Sequence, residues 1–126
     1  MQGKHLDALV DTGAIASFVQ LSVLKKLGLE GRMEEWEGSV RFGNGEVERM
    51  EGKINLPLEV QGKHFPLEAY VLKGKGLGMI LGFPFLEEHC LLVDCHEKVL
   101  CHVGGRELAC YPLYSDGQVN RKGSFK

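Results

Sequence analysis

Leu9-Val10-Asp11-Thr12-Gly13-Ala14 places an acid at the end of a short apolar run and follows it with a hydroxyl, a glycine and a small alanine. The apolar residues read as the end of a strand spanning Lys4 to Val10, and Thr-Gly-Ala reads as the turn that stops it. Alone, the tripeptide is a weak signal, because Asp beside Gly is common in surface Asx-type turns. Its weight depends on the segments downstream.

The first is a hairpin. Ser39 to Phe42 and Glu46 to Met50 flank Gly43-Asn44-Gly45, and Asn-Gly between strand-like runs is the strongest short-range hairpin signal. The second is Met79-Ile80-Leu81-Gly82-Phe83-Pro84-Phe85-Leu86, an apolar run ending in Gly and leading into a helix over Pro84 to His89. Between them, Lys53 to Val60 alternates with Ile54, Leu56, Leu58 and Val60 on one face, Gln61-Gly62-Lys63 is a turn, and His64 to Leu72 is a further strand. Leu21 to Leu27 has helical spacing, with Ser22 a candidate N-cap and Gly28 a left-handed stop. Leu91 to Asp94 and Val99 to Val103 form a late hairpin around His96-Glu97-Lys98, and Glu107 to Leu113 adds a strand. With 17 Gly and 4 Pro punctuating short runs, the chain reads as one all-β domain over residues 1–114, with a polar, disordered tail over 115–126.

Asp-Thr-Gly, then a hairpin, then an apolar-Gly-helix element is an order that resembles the retropepsin-like aspartic proteases of retroviruses, LTR retrotransposons and their cellular relatives. The likeness runs from about Gly3 to Val103, and Ile80 to Leu86 followed by Leu92-Val93-Asp94 looks especially like the retrotransposon branch. The resemblance implies a small closed acid-protease β-barrel with a flap hairpin and one or two short helices, working as a homodimer. It implies that Asp11 is the catalytic carboxylate of an endopeptidase. That chemistry needs two carboxylates sharing one water and one proton. The chain has four Asp, at positions 7, 11, 94 and 116, and only Asp11 stands in this setting. A second copy related by a twofold axis would supply the other.

By the same likeness, Thr12 would bond across the dimer axis, Gly13 would let the substrate backbone approach, Ala14 would keep the cleft floor narrow, and Ser17 would tie the loop to the scaffold. Phe42, Gly43, Asn44 and Gly45 would form the flap tip, with Ile15 and Ile80 in the substrate pocket. Viral enzymes often carry acidic residues where this chain has Ile15 and Ala16, and Arg where it has Phe83, so an ion-paired contact is replaced by an apolar one. The N-terminal strand is short, so the dimer sheet is expected to use another element, such as Glu107 to Leu113. The competing reading is a non-catalytic dimerisation or peptide-binding module on the same fold.

Composition narrows the partners. Net charge is −2, from 15 Lys plus Arg against 17 Asp plus Glu, which gives nucleic-acid binding no support. Arg121, Lys122 and Lys126 read as a solvated tail. No apolar run is long enough to span a membrane. The expected partners are a second copy and a peptide or polyprotein substrate, with no nucleic acid, membrane, metal or cofactor. The expected location is intracellular, cytoplasmic or within a virus-like particle, with Cys90, Cys95, Cys101 and Cys110 reduced. The cysteines sit near His89, His96 and His102, but no Cys-x-x-Cys spacing occurs, so small buried thiols beside exposed imidazoles are favoured over zinc. Gly74-Lys75-Gly76-Leu77-Gly78 lacks Walker spacing and reads as a surface loop. Asp94 reads as a turn contact, and Trp36 as a loop residue at the core edge.

Overall fold

A computed structural model describes residues 6–74, 78–104 and 107–113. Its elements are β1 (Leu9–Val10), β2 (Phe18–Gln20), α1 (Leu21–Leu27), a 3-10 turn (Glu30–Arg32), β3 (Glu34–Arg41), β4 (Val47–Val60), β5 (Lys63–Leu72), β6 (Met79–Leu81), α2 (Phe83–Glu88), β7 (Leu91–Asp94), β8 (Val99–Gly104) and β9 (Glu107–Pro112). The chain divides into two compact units, Met1–Leu86 and Glu87–Lys126. The tail and the segment 75–77 lie outside the described residues.

In the first unit, alternation in sequence becomes a one-sided sheet. Ile54, Leu56 and Leu58 of β4 pair with Ala69, Leu67 and Phe65 of β5, and all six are buried. Side chains of paired residues share a face, so this register stacks apolar on apolar while Asn55, Glu59, His64 and Glu68 face out. Burying one such Leu or Ile stabilises the fold by about 1.5–3 kcal/mol. Truncating Leu56 or Ile54 to Ala would cost about 2–5 kcal/mol, cavity included. The β4–β5 connection is a two-residue turn in which Gln61 (φ 46°) and Gly62 (φ 84°) both take positive φ, the type I′ geometry that matches the strand twist.

The strand order is β1-β6-β2-β5-β4-β3. β6 lies between β1, which it meets in parallel, and β2, which it meets antiparallel. α1 follows β2 directly and buries Leu24 and Leu27, and it ends at Gly28, which takes φ 71° and returns its N–H to the carbonyls of Leu24 and Lys25. Its N-cap is Gln20, with no side-chain cap bond, so Ser22 lies inside the first turn and does not cap the helix. Gln20 is instead buried at the top of β2, its carboxamide nitrogen directed at the carbonyls of Leu72 and Gly74.

Several boundaries differ from the sequence pattern. The first strand is Leu9–Val10, with Leu6 to Ala8 outside it, and Lys4 and His5 lie outside the described residues. β2 was not visible as a strand. β3 begins at Glu34, which places Trp36 on a strand and not in a loop. Among the described residues the first sheet has an open order, with β1 and β3 at its two ends. The fold is mostly β with two short helices.

The second unit is an antiparallel sheet, β7-β8-β9. Asp94 makes its first turn: Oδ1 accepts from the N–H groups of His96 at 3.1 Å and Glu97 at 3.0 Å, as expected of a turn acid. Lys98 completes the turn with φ 58°. Leu100 and Tyr111 pair across β8 and β9 and are buried. Of the cysteines only Cys101 is buried, while Cys90, Cys95 and Cys110 are exposed, so the expectation of buried thiols holds at one position in four. Among the described residues no helix is long and apolar enough to cross a membrane.

Candidate active site

The Asp11 loop hangs between two strands. β1 ends at Val10, opposite Leu81 of β6, and the Asp11 N–H continues the ladder to the Leu81 carbonyl at 3.0 Å. The chain then turns. Asp11 Oδ1 accepts the Gly13 N–H at 2.9 Å and the Asp11 carbonyl accepts the Ala14 N–H at 3.2 Å. One carboxylate oxygen therefore organises its own loop, as an Asx turn does, and this local turn coexists with the long-range bonds that set the loop in place. Asp11 is partly exposed, as is Ala14, and Thr12 and Gly13 are exposed.

Ser17 fastens the far end of the loop. It is buried (4% exposed), and its Oγ accepts the Gly82 N–H at 2.9 Å across 65 residues of sequence. Its carbonyl accepts the Tyr70 N–H at 3.0 Å. The Phe83 N–H closes the arrangement on the Ala14 carbonyl at 2.9 Å. Gly82 is obligatory for a steric reason. A Cβ there would run into the Ala16 carbonyl oxygen, with the Ala16 carbonyl carbon at 2.6 Å and the Ala14 oxygen at 3.0 Å. The Ile80-Leu81-Gly82 run is thus the backbone rail on which the Asp loop rests.

The hairpin reaches the same neighbourhood through aromatic rings. At its tip the Phe42 N–H donates to the Glu46 carbonyl at 2.8 Å, the Gly45 N–H donates to the Phe42 carbonyl at 2.9 Å, and Gly45 takes φ 91°. This is a three-residue loop with a left-handed glycine at its end. Asn44 Oδ1 accepts the Glu46 N–H at 2.9 Å. The Phe42 ring packs edge-on against Phe18, centroids 5.8 Å apart, and Phe18 follows Ser17 in the chain. Lower down, Trp36 meets Tyr70 at 5.8 Å, and Lys53 Nζ lies 4.8 Å from the Trp36 centroid and 3.4 Å from Glu68 Oε2.

The structure therefore brings together Asp11, Thr12, Gly13, Ala14 and Ser17 in one loop. Ile80 joins them through its pairing with Leu9 and Phe18, and Phe42 through Phe18. Gly43, Asn44 and Gly45 form the exposed hairpin tip. Ile15 is 85% exposed and Phe83 50% exposed, both beside the loop. Phe18 and Tyr70 belong to no motif in the sequence, and the steric part of Gly82 depends on its approach to Ala14 and Ala16. The run of buried Phe18-Val19-Gln20 carries no alternation that would mark it as a strand. Among the described residues no three of His, Cys, Asp and Glu gather as a ligand set.

An Asp-Thr-Gly loop seated on an apolar-Gly strand, with a hairpin packed through Phe42 onto the residue after Ser17, defines a retropepsin-like aspartic protease domain. A family model described as "gag-polyprotein putative aspartyl protease" matches residues 1–88, and the chain belongs to that family. The match covers the Asp11 loop, the hairpin and the Gly82 rail. Protein DNA-DAMAGE INDUCIBLE 1 of Arabidopsis thaliana is 27% identical over 110 residues, which is 86% of this chain and 26% of that protein. UBA domain-containing protein Mud1 of Schizosaccharomyces pombe is 25% identical over 119 residues, 94% of this chain and 35% of that protein. The chain thus spans between about a quarter and about a third of these relatives' length. The crystal structure of the retroviral protease-like domain of Ddi1 from Leishmania major matches with a TM-score of 0.71 at 23% identity, covering 89% of each chain, and shows the shared fold.

Proposed function

We propose that this chain is half of a homodimeric aspartic endopeptidase in which Asp11 and the same residue of a second copy share one water. The observation that carries this reading is the seating of Asp11. Its backbone is fixed by Leu81, its loop by the Ser17–Gly82 bond, and the residue stays partly exposed. A surface Asx turn needs no such buried tie. The exposed Ile15 and Phe83 beside the loop also support it, since large apolar side chains left on the surface commonly mark a binding face.

In the proposed reaction one carboxylate takes a proton from the water as its oxygen attacks the scissile carbonyl carbon. The other, protonated, donates to the carbonyl oxygen. Transfer of a proton to the amide nitrogen then lets the C–N bond break. Two carboxylates this close repel as like charges, which is why one of them must carry the proton. Thr12 would brace the paired loops across the axis. Gly13 and Ala14 would leave room for an extended peptide, bound by strand-like hydrogen bonds with side chains read alternately. The tip from Phe42 to Gly45 would close over that peptide and exclude water, and Ile15 and Ile80 would line its pocket. The substrate would be an extended polypeptide, either a polyprotein or one of a few cellular targets.

The test is cleavage of an unstructured polypeptide at mildly acidic pH by the parent and by Asp11→Asn. Loss of at least about a thousandfold in rate is expected, because the variant cannot hold the shared proton correctly. Equal rates would remove Asp11 from the reaction.

A further inference from the structure

β8 is the central strand of the second unit, and Cys101 on it stands directly opposite Cys110 on the edge strand β9. Opposed residues of antiparallel strands point to the same face, with Cα atoms about 4.5–5.5 Å apart. That separation falls inside the range of about 4.4–6.8 Å that a disulfide requires. The side chains use it: the two Sγ atoms lie 3.0 Å apart as hydrogen-bonded thiols, about 1 Å beyond bonding distance. The partners are unlike. Cys110 is exposed and Cys101 is buried. The hydrogen bond with Cys110, and then burial, push the Cys101 thiol up to about 11. Cys101 therefore keeps its proton at neutral pH, while an oxidant in solution meets Cys110 first. Cys90, just before β7, and Cys95, in the β7–β8 turn, are exposed and outside this pairing.

We propose that Cys101 and Cys110 are a reversible oxidative modification site, a dithiol that hydrogen peroxide converts to an intramolecular β8–β9 disulfide. In the first step the Cys110 thiolate attacks one peroxide oxygen. The O–O bond breaks, hydroxide leaves and takes up a proton as water, and Cys110 becomes a sulfenic acid. In the second, Cys101 gives up its proton and its sulfur attacks Cys110 Sγ. The S–S bond forms, the S–O bond breaks, and the departing hydroxide leaves as a second water. The two thiols lose two electrons and the peroxide gains them. A dithiol reductant reverses the change by exchange through a mixed disulfide. In a reducing compartment the pair rests as thiols and is oxidised only transiently. The bond would fasten the edge strand to its neighbour part-way along β9, so that β9 could no longer peel away. The site belongs to the second unit alone and does not depend on Asp11 being catalytic.

The test is to expose the reduced full chain to hydrogen peroxide, block remaining thiols with N-ethylmaleimide, and map the peptides by mass. The expected product is lighter by two hydrogens, carries a bond between Cys101 and Cys110, keeps Cys90 and Cys95 open to alkylation, and returns to four alkylatable thiols with dithiothreitol. In Cys101→Ser the disulfide is lost, and a diketone probe traps the sulfenic acid at Cys110. In Cys110→Ser no trap appears at Cys101. The wild-type map decides the matter if either variant fails to fold. Continued alkylation of both Cys101 and Cys110 after peroxide has oxidised Cys90 or Cys95 would overturn the proposal. So would a disulfide that maps to any other pair.

Discussion

Replacing Ser17 by Ala removes one oxygen, and the geometry fixes what that should cost. Ser17 is 4% exposed, and its Oγ is the acceptor for the Gly82 N–H at 2.9 Å. In the variant that N–H keeps its burial and loses its partner, which costs about 1–3 kcal/mol. The Tyr70 bond to the Ser17 carbonyl is a backbone bond and survives the change. For a domain of this size 1 kcal/mol corresponds to about 4 °C in Tm, so Ser17→Ala should melt about 4–12 °C below the parent. Urea titration should show a lower midpoint with an unchanged m-value, the sign of lost stability without a looser native state. Hydrogen exchange adds a local readout: the Gly82 amide should exchange faster, while those of β4 and β5 keep their relative protection. Ser22→Ala is the matched control, because Ser22 is exposed and its helix has no side-chain cap bond, so it should stay within about 0.5 kcal/mol of the parent. Parent-like melting and parent-like Gly82 exchange in Ser17→Ala would refute the claim that this bond seats the loop.

Gly82→Ala should be worse than Ser17→Ala, by about 3 kcal/mol or more, because the new Cβ meets the Ala16 and Ala14 backbone and no flexible side chain can yield; chemical denaturation measures it. Phe42→Ala should cost only about 0.5–1.5 kcal/mol beyond its lost burial, the worth of the Phe18 ring pair. Its larger effect should be local, with faster amide exchange from Val40 to Val47 and a raised KM for peptide. Cys101 should resist alkylation: with its thiol pushed up to about 11, lowering the thiolate share to about one part in ten thousand at pH 7, it should react far more slowly than Cys110 and catch up as pH rises towards 11. Timed labelling with iodoacetamide across pH reads this directly.

Where period-2 or helical spacing was strong, the sequence was legible. α1 runs from Leu21 to Leu27 as its apolar spacing indicates, and Gly28 ends it in a left-handed conformation. β5 and the Gln61-Gly62 turn also follow from pattern and turn chemistry. The failures have physical causes. β2 is buried at all three positions and is held by neighbours on both sides, so it shows no alternation. The acidic start of β3 reads as loop, and it is a strand because Trp36 packs on Tyr70 under the Lys53 ammonium. Glu46 to Met50 and Lys53 to Val60, separate runs in the sequence, are one strand, β4, whose register against β5 shifts between Met50 and Gly52, and at Gly52 a Cβ would come within 2.5 Å of the Glu34 carbonyl. In the site, Asp11 and the order of segments were visible in the chain. The Gly82 rail and the pairing of Cys101 with Cys110 depend on register between strands, which residue types alone do not set.

The central claim is that Asp11 is half a site, and subunit mixing tests it most directly. Parent chain is allowed to exchange with an equal amount of Asp11→Asn, and peptide cleavage is followed as the mixture equilibrates. If each site needs one Asp11 from each of two copies, random pairing leaves about one quarter of the dimers with two intact acids. Activity per parent chain should then fall to about half and keep falling as more variant is added. Activity that stays proportional to the amount of parent chain, whatever the excess of variant, would show that one Asp11 suffices and would contradict the shared dyad.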